Sequence, residues 1–206
     1  MTPVSPPKYR LHVDKDVDVQ TRDGMRLKAD VYRPRGRGRF PAIINLGSYQ
    51  KDKHWVPPLD LGEKDNPYMN WETVNPLWWV PRGYAAVRVD GRGSGKSPGR
   101  TDPFSLQEAL DFHDAIEWAA RQPWCNGNVG LLGISYFAMT QWFVANLKPR
   151  SLKAIIPWPK RSCRQNRKIR NCASTPAPIT TRSTPRKRAT IKYASSTIGS
   201  RAGKTA

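Results

Sequence analysis

The chain has 206 residues, 38% of them hydrophobic, and carries 35 Lys and Arg against 16 Asp and Glu, a net charge of +19. That length admits one domain with a substantial core, or one domain plus a tail. No 18-residue apolar run occurs and the opening MTPVSPPKYR holds no apolar stretch, which argues against a membrane span or a leader and for a cytoplasmic address.

The averages hide a boundary. All eight tryptophans lie at or before Trp158, and the 48 residues beyond it contain no Leu, Val, Phe, Trp or Met. The same stretch holds 13 Lys or Arg and no acid, so the residues up to Trp158 keep only a mild +6. Such a segment buries too little apolar surface to offset the entropy of ordering it. The reading is a body, residues 1–158, followed by a disordered basic tail, residues 159–206. Cys125, Cys163 and Cys172 form neither a metal set nor a disulfide framework; Cys125 reads as a buried thiol and the tail pair as incidental.

Along the body, DVDVQT (16–21) alternates polar and β-branched residues, and the DG pair at 23–24 turns into MRLKADVYRP, an antiparallel hairpin. FPAIINLG (40–47) is a continuous apolar strand ending in glycine, and Tyr84–Val89 is another, followed by a glycine-rich loop. Ser105 and Glu108 form a capping box that opens a helix through about Arg121, with Leu106, Ala109, Leu110, Ile116 and Ala120 as its buried stripe and Pro123 as its stop. NVGLLG (128–133) is a strand, Tyr136–Asn146 a helix and LKAIIP (152–157) a last strand. Strands apolar on both faces belong in a mostly parallel sheet covered by helices, so the fold class is α/β.

The stretch GNVGLLGISYFAMTQW (127–142) carries the chemistry. A hydroxyl becomes a nucleophile when it is exposed, near a base and beside donors for the developing oxyanion. A strand that turns sharply into a helix lifts its side chain above the sheet and aims backbone N–H groups at the reacting carbonyl oxygen. Gly133 and Ser135 fit such a nucleophile elbow; the customary second glycine, two after the serine, is Phe137, and the next residue, Ala138, is small instead. A serine that merely caps an ordinary helix is the competing reading.

GISYFAMTQW, with DGRGSGKSPG and QPWCNGNVG upstream and TRDGMRLKADVYRP near the start, resembles the cocaine-esterase / X-Pro dipeptidyl-peptidase (CocE/NonD) family of α/β-hydrolases over roughly residues 13 to 158. The resemblance implies a truncated α/β-hydrolase fold and a serine hydrolase acting on small ester, amide or peptide substrates, with no cofactor and no metal. It matches Ser135 to the nucleophile. It matches the backbone N–H of Tyr136 and the hydroxyl of Tyr49, in GSYQKD, to the oxyanion hole.

Other features compete for attention. GRGSGKS (91–97) has three residues, not four, between Gly91 and Gly95, so it reads as a structural turn rather than a phosphate loop. His113 and Glu117 sit four apart on a helix without a third ligand, which reads as a solvated face. Trp71, Trp78 and Trp79 either wall a hydrophobic acyl pocket or pack their insert on the body.

In this fold the acid and the histidine follow the serine in chain order. Here the last acid is Glu117, and His12, His54 and His113 all precede Ser135. The expectation is an N-terminal portion of a hydrolase with acid and base absent, inactive or nearly so, and a tail that arose from a frame disruption. The rival reading is a degenerate hydrolase body whose cationic tail, with PRKR (185–188) and Tyr193, binds nucleic acid or acidic surfaces non-specifically. Oligomeric state is not legible.

Overall fold

A computed structural model of the protein describes residues 5–59 and 64–158. The basic segment 159–206, with Cys163, Cys172, PRKR and Tyr193, lies outside the described residues. All described residues belong to one compact unit. Among them no helix is long and apolar enough to cross a membrane.

The hairpin forms from β1 (Leu11–Gln20) and β2 (Arg26–Pro34), paired antiparallel around a turn in which Gly24 takes φ +84°. β1 begins earlier than the alternation of 16–21 suggests, because a bulge between Asp14 and Val17 resets its register and lets it pair on through Leu11. β3 (Phe40–Gly47) follows, and then an insert that the strand-and-helix pattern did not expose. Asn75 caps the short helix α1 (Pro76–Trp79) by accepting from Leu77 N–H, a 3₁₀ turn runs over Val80–Arg82, and Gly83 at φ +88° ends it. β4 (Ala85–Asp90), α2 (Leu106–Arg121), β5 (Cys125–Ile134), α3 (Tyr136–Asn146) and β6 (Leu152–Trp158) complete the described order.

The six strands lie in the order β1-β2-β4-β3-β5-β6. The β3–β4, β3–β5 and β5–β6 pairs are parallel, while β2 meets both β1 and β4 antiparallel. The mostly parallel sheet expected from the apolar strands is therefore present. Its two faces are buried separately. One face packs Leu27, Ile44, Leu46 and Leu131 against Phe112 and Ile116 of α2. The other packs Tyr32, Ile43 and Ala86 under Trp79 and Val80 of the insert. Each large apolar side chain buried in this way stabilises the fold by about 1.5–3 kcal/mol relative to exposure.

Two helix faces differ from their sequence patterns. The α2 cap holds, with Ser105 Oγ accepting from Glu108 N–H at 3.1 Å, but Leu106 is 68% exposed and Leu110 only half-buried. The stripe that meets the sheet is Ala109, Phe112, Ala115, Ile116, Ala119 and Ala120. Leu106 is the first residue of the helix, directly after the exposed stretch 101–104. In α3, Phe137, Ala138, Gln141 and Val144 are buried, yet the outward residues Met139, Trp142 and Phe143 are also large and apolar.

Candidate active site

β5 delivers the chain to Ser135 at φ +54° and ψ −113°. A non-glycine residue in the left-handed half of backbone space costs of order 1–3 kcal/mol and persists only where its surroundings enforce it. Four hydrogen bonds enforce it here. Ser135 N–H donates to Trp158 O at 3.1 Å, Ile134 N–H donates to Glu72 O at 3.4 Å, and Ser135 O accepts from Ala138 and Met139 N–H, both at 3.0 Å. The helix therefore starts directly after the serine, with Ser135 at its N-cap position, but the side chain caps nothing. A serine placed for capping would accept from the first-turn amides; this one is half-exposed, with its hydroxyl making no hydrogen bond among the described residues.

Close approach explains the small residues around the turn. A Cβ on Gly133 would fall 2.4 Å from Phe137 Cβ, so glycine before the serine is what admits phenylalanine after it. A Cβ on Gly47, at the tip of β3, would fall 2.6 Å from the Tyr136 ring and 2.8 Å from that of Phe137. Ala138 is buried as well. Asn45, which the sequence did not single out, donates its amide to Leu132 O at 2.7 Å and steadies the strand just before the turn.

Tyr49 lies in the loop after β3, its ring 5.3 Å from that of Tyr136 and edge-on to Phe137 at 5.4 Å. Burial pushes its phenol pKa up, and the charge of Glu72 adds to the effect, so the group remains a proton donor. The Tyr136 amide occupies the first position of α3, where a helix leaves N–H groups without intrahelical acceptors. The Tyr136 side chain turns away to Glu108, to which its hydroxyl donates. Glu72 itself sits at φ +59°. Neither Glu72 nor Glu108 carried a local signal for this neighbourhood, because their partners are remote in sequence.

The remaining sequence candidates fall elsewhere. Trp79 is buried against Trp78 and Tyr84, and Trp78 lies beneath the Arg82 guanidinium at 4.1 Å. Both pack the insert on the body. Trp71 is 38% exposed and meets Trp55 edge-on at 5.3 Å. His113 and Glu117 do not converge. The His113 ring faces Arg22 at 3.0 Å, and the Glu117 carboxylate accepts from Ser151 N–H and Oγ–H at 3.0 and 2.8 Å, so this helix face is engaged rather than simply solvated. The glycine-rich turn wraps an anion of its own: Asp90 accepts from Lys51 N–H at 2.6 Å and Lys96 N–H at 2.9 Å. A Cβ on Gly95, at φ +54°, would overlap that carboxylate at 2.2 Å. Cys125 is free and buried, and burial raises its thiol pKa.

One carboxylate cluster has the spacing of a cation site. Asp16, Asp30 and Asp52 bring ligand oxygens within 4.8 Å of one another. Lysine ammonium groups already hold those oxygens: Lys51 reaches Asp16, Asp52 and Asp30 at 2.6, 2.8 and 3.1 Å, Lys15 bridges Asp30 and Asp52, and Lys96 bonds Asp16 at 2.6 Å. The cluster is an ion-pair network that ties the hairpin to the loop after Tyr49. Each histidine has its own carboxylate, His12 with Asp14, His54 with Asp65 and His113 with Asp114. Among the described residues no histidine or acid hydrogen-bonds the Ser135 hydroxyl.

Comparison with known proteins agrees with the fold. Residues 23–169 match the family model "X-Pro dipeptidyl-peptidase (S15 family)". The cocaine esterase of Rhodococcus sp. (strain MB1 Bresler) is 38% identical over 145 residues, covering 70% of this chain and 23% of that protein. A putative Xaa-Pro dipeptidyl-peptidase of Bacillus anthracis is 30% identical over 170 residues, covering 71% of this chain and 28% of that protein. The crystal structure of a CocE/NonD family hydrolase from Staphylococcus aureus superposes with a TM-score of 0.67 at 42% identity, over 72% of this chain and 28% of that one. The chain thus spans about a quarter of the length of the relatives it matches, an N-terminal portion of them. On the sheet order, the elbow and a family match over most of its length, the chain belongs to the X-Pro dipeptidyl-peptidase (S15) family of α/β-hydrolases.

Proposed function

We propose that this chain carries the nucleophile and the oxyanion hole of a serine hydrolase that cleaves ester or amide bonds through an acyl-enzyme on Ser135. The observation that carries the reading is the backbone of Ser135, held at φ +54° between strand and helix with its hydroxyl spent on no cap. Strain of that kind is maintained where it presents a side chain for chemistry.

In the reaction, Ser135 Oγ attacks the substrate carbonyl carbon while a base takes its proton. The carbonyl oxygen becomes an oxyanion facing the Tyr49 hydroxyl and the Tyr136 amide, donors of the kind that stabilise such a charge by about 3–4 kcal/mol each. Collapse expels the alcohol or amine, which leaves with a proton, and water then releases the acyl group from Ser135. The names of the relatives point to esters or Xaa-Pro peptides as substrate. The described residues place no base on Ser135, and losing the base of a triad lowers turnover by about 10⁶-fold. On this reading the chain by itself is a poor catalyst.

Prolonged exposure to a fluorophosphonate at raised pH, followed by intact mass and peptide mapping, tests the assignment. A single adduct on Ser135 that is lost in Ser135→Ala is expected, with p-nitrophenyl acetate turnover close to the uncatalysed rate. An adduct that persists in Ser135→Ala overturns the assignment of the nucleophile, and rapid stoichiometric labelling at neutral pH overturns the missing base.

A further inference from the structure

Between the hairpin, β4 and the loop after β3 lies a cavity of about 320 Å³, lined by none of Ser135, Tyr49 and Tyr136. That volume is in the range of small-molecule sites. Val13, Tyr32, Tyr68 and Met69 give it an apolar wall, the Tyr32 and Tyr68 rings meeting edge-on at 5.6 Å. The rest of the wall is charged. Lys15 and Lys51 hold Asp16, Asp30 and Asp52 between them, and His54 holds Asp65. Arg88 is the exception. It is 3% exposed, and among the described residues it forms no ion pair. Asp30 stands opposite it in the β2–β4 register, but gives its oxygens to Lys15, Lys51 and the Asp16 N–H. Arg88 Nη2 donates to Val74 O at 2.8 Å, and the guanidinium lies 5.1 Å from the centre of the Tyr32 ring, while Nε makes no hydrogen bond among the described residues. A buried guanidinium left with donors to spare and no anion is costly. Burial lowers its pKa against the pull of Tyr32 and Asp30.

We propose that this cavity binds a small monocarboxylic acid with an aromatic or branched apolar body, its carboxylate on the Arg88 guanidinium and its body against Tyr32, Tyr68 and Met69. The wall selects this chemistry. A planar guanidinium matches a planar carboxylate in shape and in hydrogen bonding. With the two lysines and His54 already engaged, Arg88 is the one cation of the wall that a ligand can neutralise. Asp52, also on the wall, opposes a second negative charge, which favours a monoanion over a phosphate dianion. The apolar side supplies the remaining affinity through burial of the ligand's body. None of this depends on the assignment of Ser135.

The experiment titrates the full 206-residue chain with phenylpropionate by isothermal calorimetry at neutral pH, beside phenylpropionamide, acetate and inorganic phosphate. Binding of one phenylpropionate per chain is expected, with a dissociation constant of about 1 mM or tighter. The amide lacks the charge and acetate lacks the apolar body, so each should bind about 10-fold more weakly or worse. Arg88→Met should weaken phenylpropionate by about 10-fold or more. Val13→Trp, which fills the cavity from β1, should do so independently, and circular dichroism reports whether each variant stays folded. In chain carrying labelled methionine methyls, the Met69 resonance should move on binding while that of Met139, on α3, stays in place. This last readout needs no substitution, so it decides the case even where Arg88→Met does not fold. The proposal is overturned if phenylpropionate does not bind, if the amide or phosphate binds as tightly, or if Met139 responds instead of Met69. It is equally overturned if folded Arg88→Met binds as the wild type does, which would assign the Nε donor to the smaller space that Arg88 shares with Asn45.

Discussion

Tyr136 donates its hydroxyl hydrogen to Glu108 Oε1 across 28 positions of sequence, while Glu108 Oε2 accepts from Phe104 N–H at 2.8 Å. A single carboxylate thus joins the start of α2 to the first residue of α3, whose amide is assigned to the oxyanion hole. The glutamate of a capping box ordinarily reaches back to the cap residue itself; here it reaches one residue further, to Phe104 at φ +60°, and has an oxygen left for the phenol. Burial pushes the Glu108 pKa up, and the bond from Tyr136 opposes it.

Tyr136→Phe removes that donor and leaves the carboxylate with one partner fewer. The variant should lose about 1.5–3 kcal/mol at neutral pH, the range for hydrogen bonds to a charged group, read from urea unfolding. Without the phenol, the bond from Phe104 N–H alone opposes burial at Glu108, and its folded pKa rises further. A carboxyl whose folded pKa lies above the unfolded value of 4.5 destabilises the fold only when ionised. The deficit of the variant should therefore be largest above the Glu108 titration and should shrink as pH falls through it.

Gly133→Ala and Gly47→Ala each place a methyl inside another side chain, at 2.4 Å from Phe137 Cβ and 2.6 Å from the Tyr136 ring. Overpacking of this kind costs about 1–3 kcal/mol. Both variants should also lose Ser135 labelling, because the atoms displaced belong to the elbow. Gly24→Ala meets nothing within 4 Å and is the control: it should lose stability through its φ of +84° while labelling is retained.

Ser135→Gly should stabilise the chain. Glycine adopts φ +54° without the Cβ penalty, releasing about 1–3 kcal/mol of strain, offset by about 0.5–1 kcal/mol of extra unfolded-state entropy. The net gain is about 1 kcal/mol, visible as a higher urea midpoint. Ser135→Ala keeps the Cβ and should show no comparable gain. A destabilised glycine variant would mean that the backbone here is unstrained.

Lys51→Met removes one of the two ammonium partners of Asp30, whose side chain, like that of Lys51, is fully buried, and leaves Lys15 as the other. Because Lys15 still neutralises Asp30, the expected loss is that of hydrogen bonds to a charged group, about 1.5–3 kcal/mol, rather than that of an unpaired buried charge. Burial alone would raise the Asp52 pKa, but hydrogen bonds from Lys15, Lys51 and Lys96 outweigh it and hold the carboxyl well below its usual range. Burial likewise disfavours the Lys51 ammonium, and bonds to Asp16, Asp52 and Asp30 outweigh it and hold its pKa well above the lysine range. A depressed carboxyl stabilises above 3.8 and loses this as pH falls; a raised ammonium stabilises below 10.5 and loses this as pH rises. The advantage of the wild type over Lys51→Met should be constant in the neutral range and shrink below pH 3.8 and above pH 10.5. Urea midpoints across pH check it.

Much of the architecture was legible because it is written in local terms. The run NVGLLG, one glycine, one serine and an immediate helix mark the elbow without reference to anything distant, and Ser105 and Glu108 mark the start of α2 in the same way. Periodicity failed at the exposed first residue of a helix, as at Leu106, and where a segment is too short to have a period, as at Pro76–Trp79. It was equally silent about the company of Trp71, Trp78 and Trp79, since an aromatic side chain fits a pocket wall and a packed insert alike.

The sequence by itself determined the order of the strands and of the two long helices, the class of sheet and the strand-to-helix turn at Ser135, because each depends on residues within a few positions of one another. Only the tertiary structure decided which backbone and side-chain groups meet. Glu72 reaches Ile134, Glu108 reaches Tyr136, and Asp16, Asp30 and Asp52 gather around Lys51 because β4 passes between β2 and β3 and the loops at their ends converge. Those partnerships are set by strand order and register, and a hydrogen bond between residues far apart in the chain has no local periodicity by which it could be read.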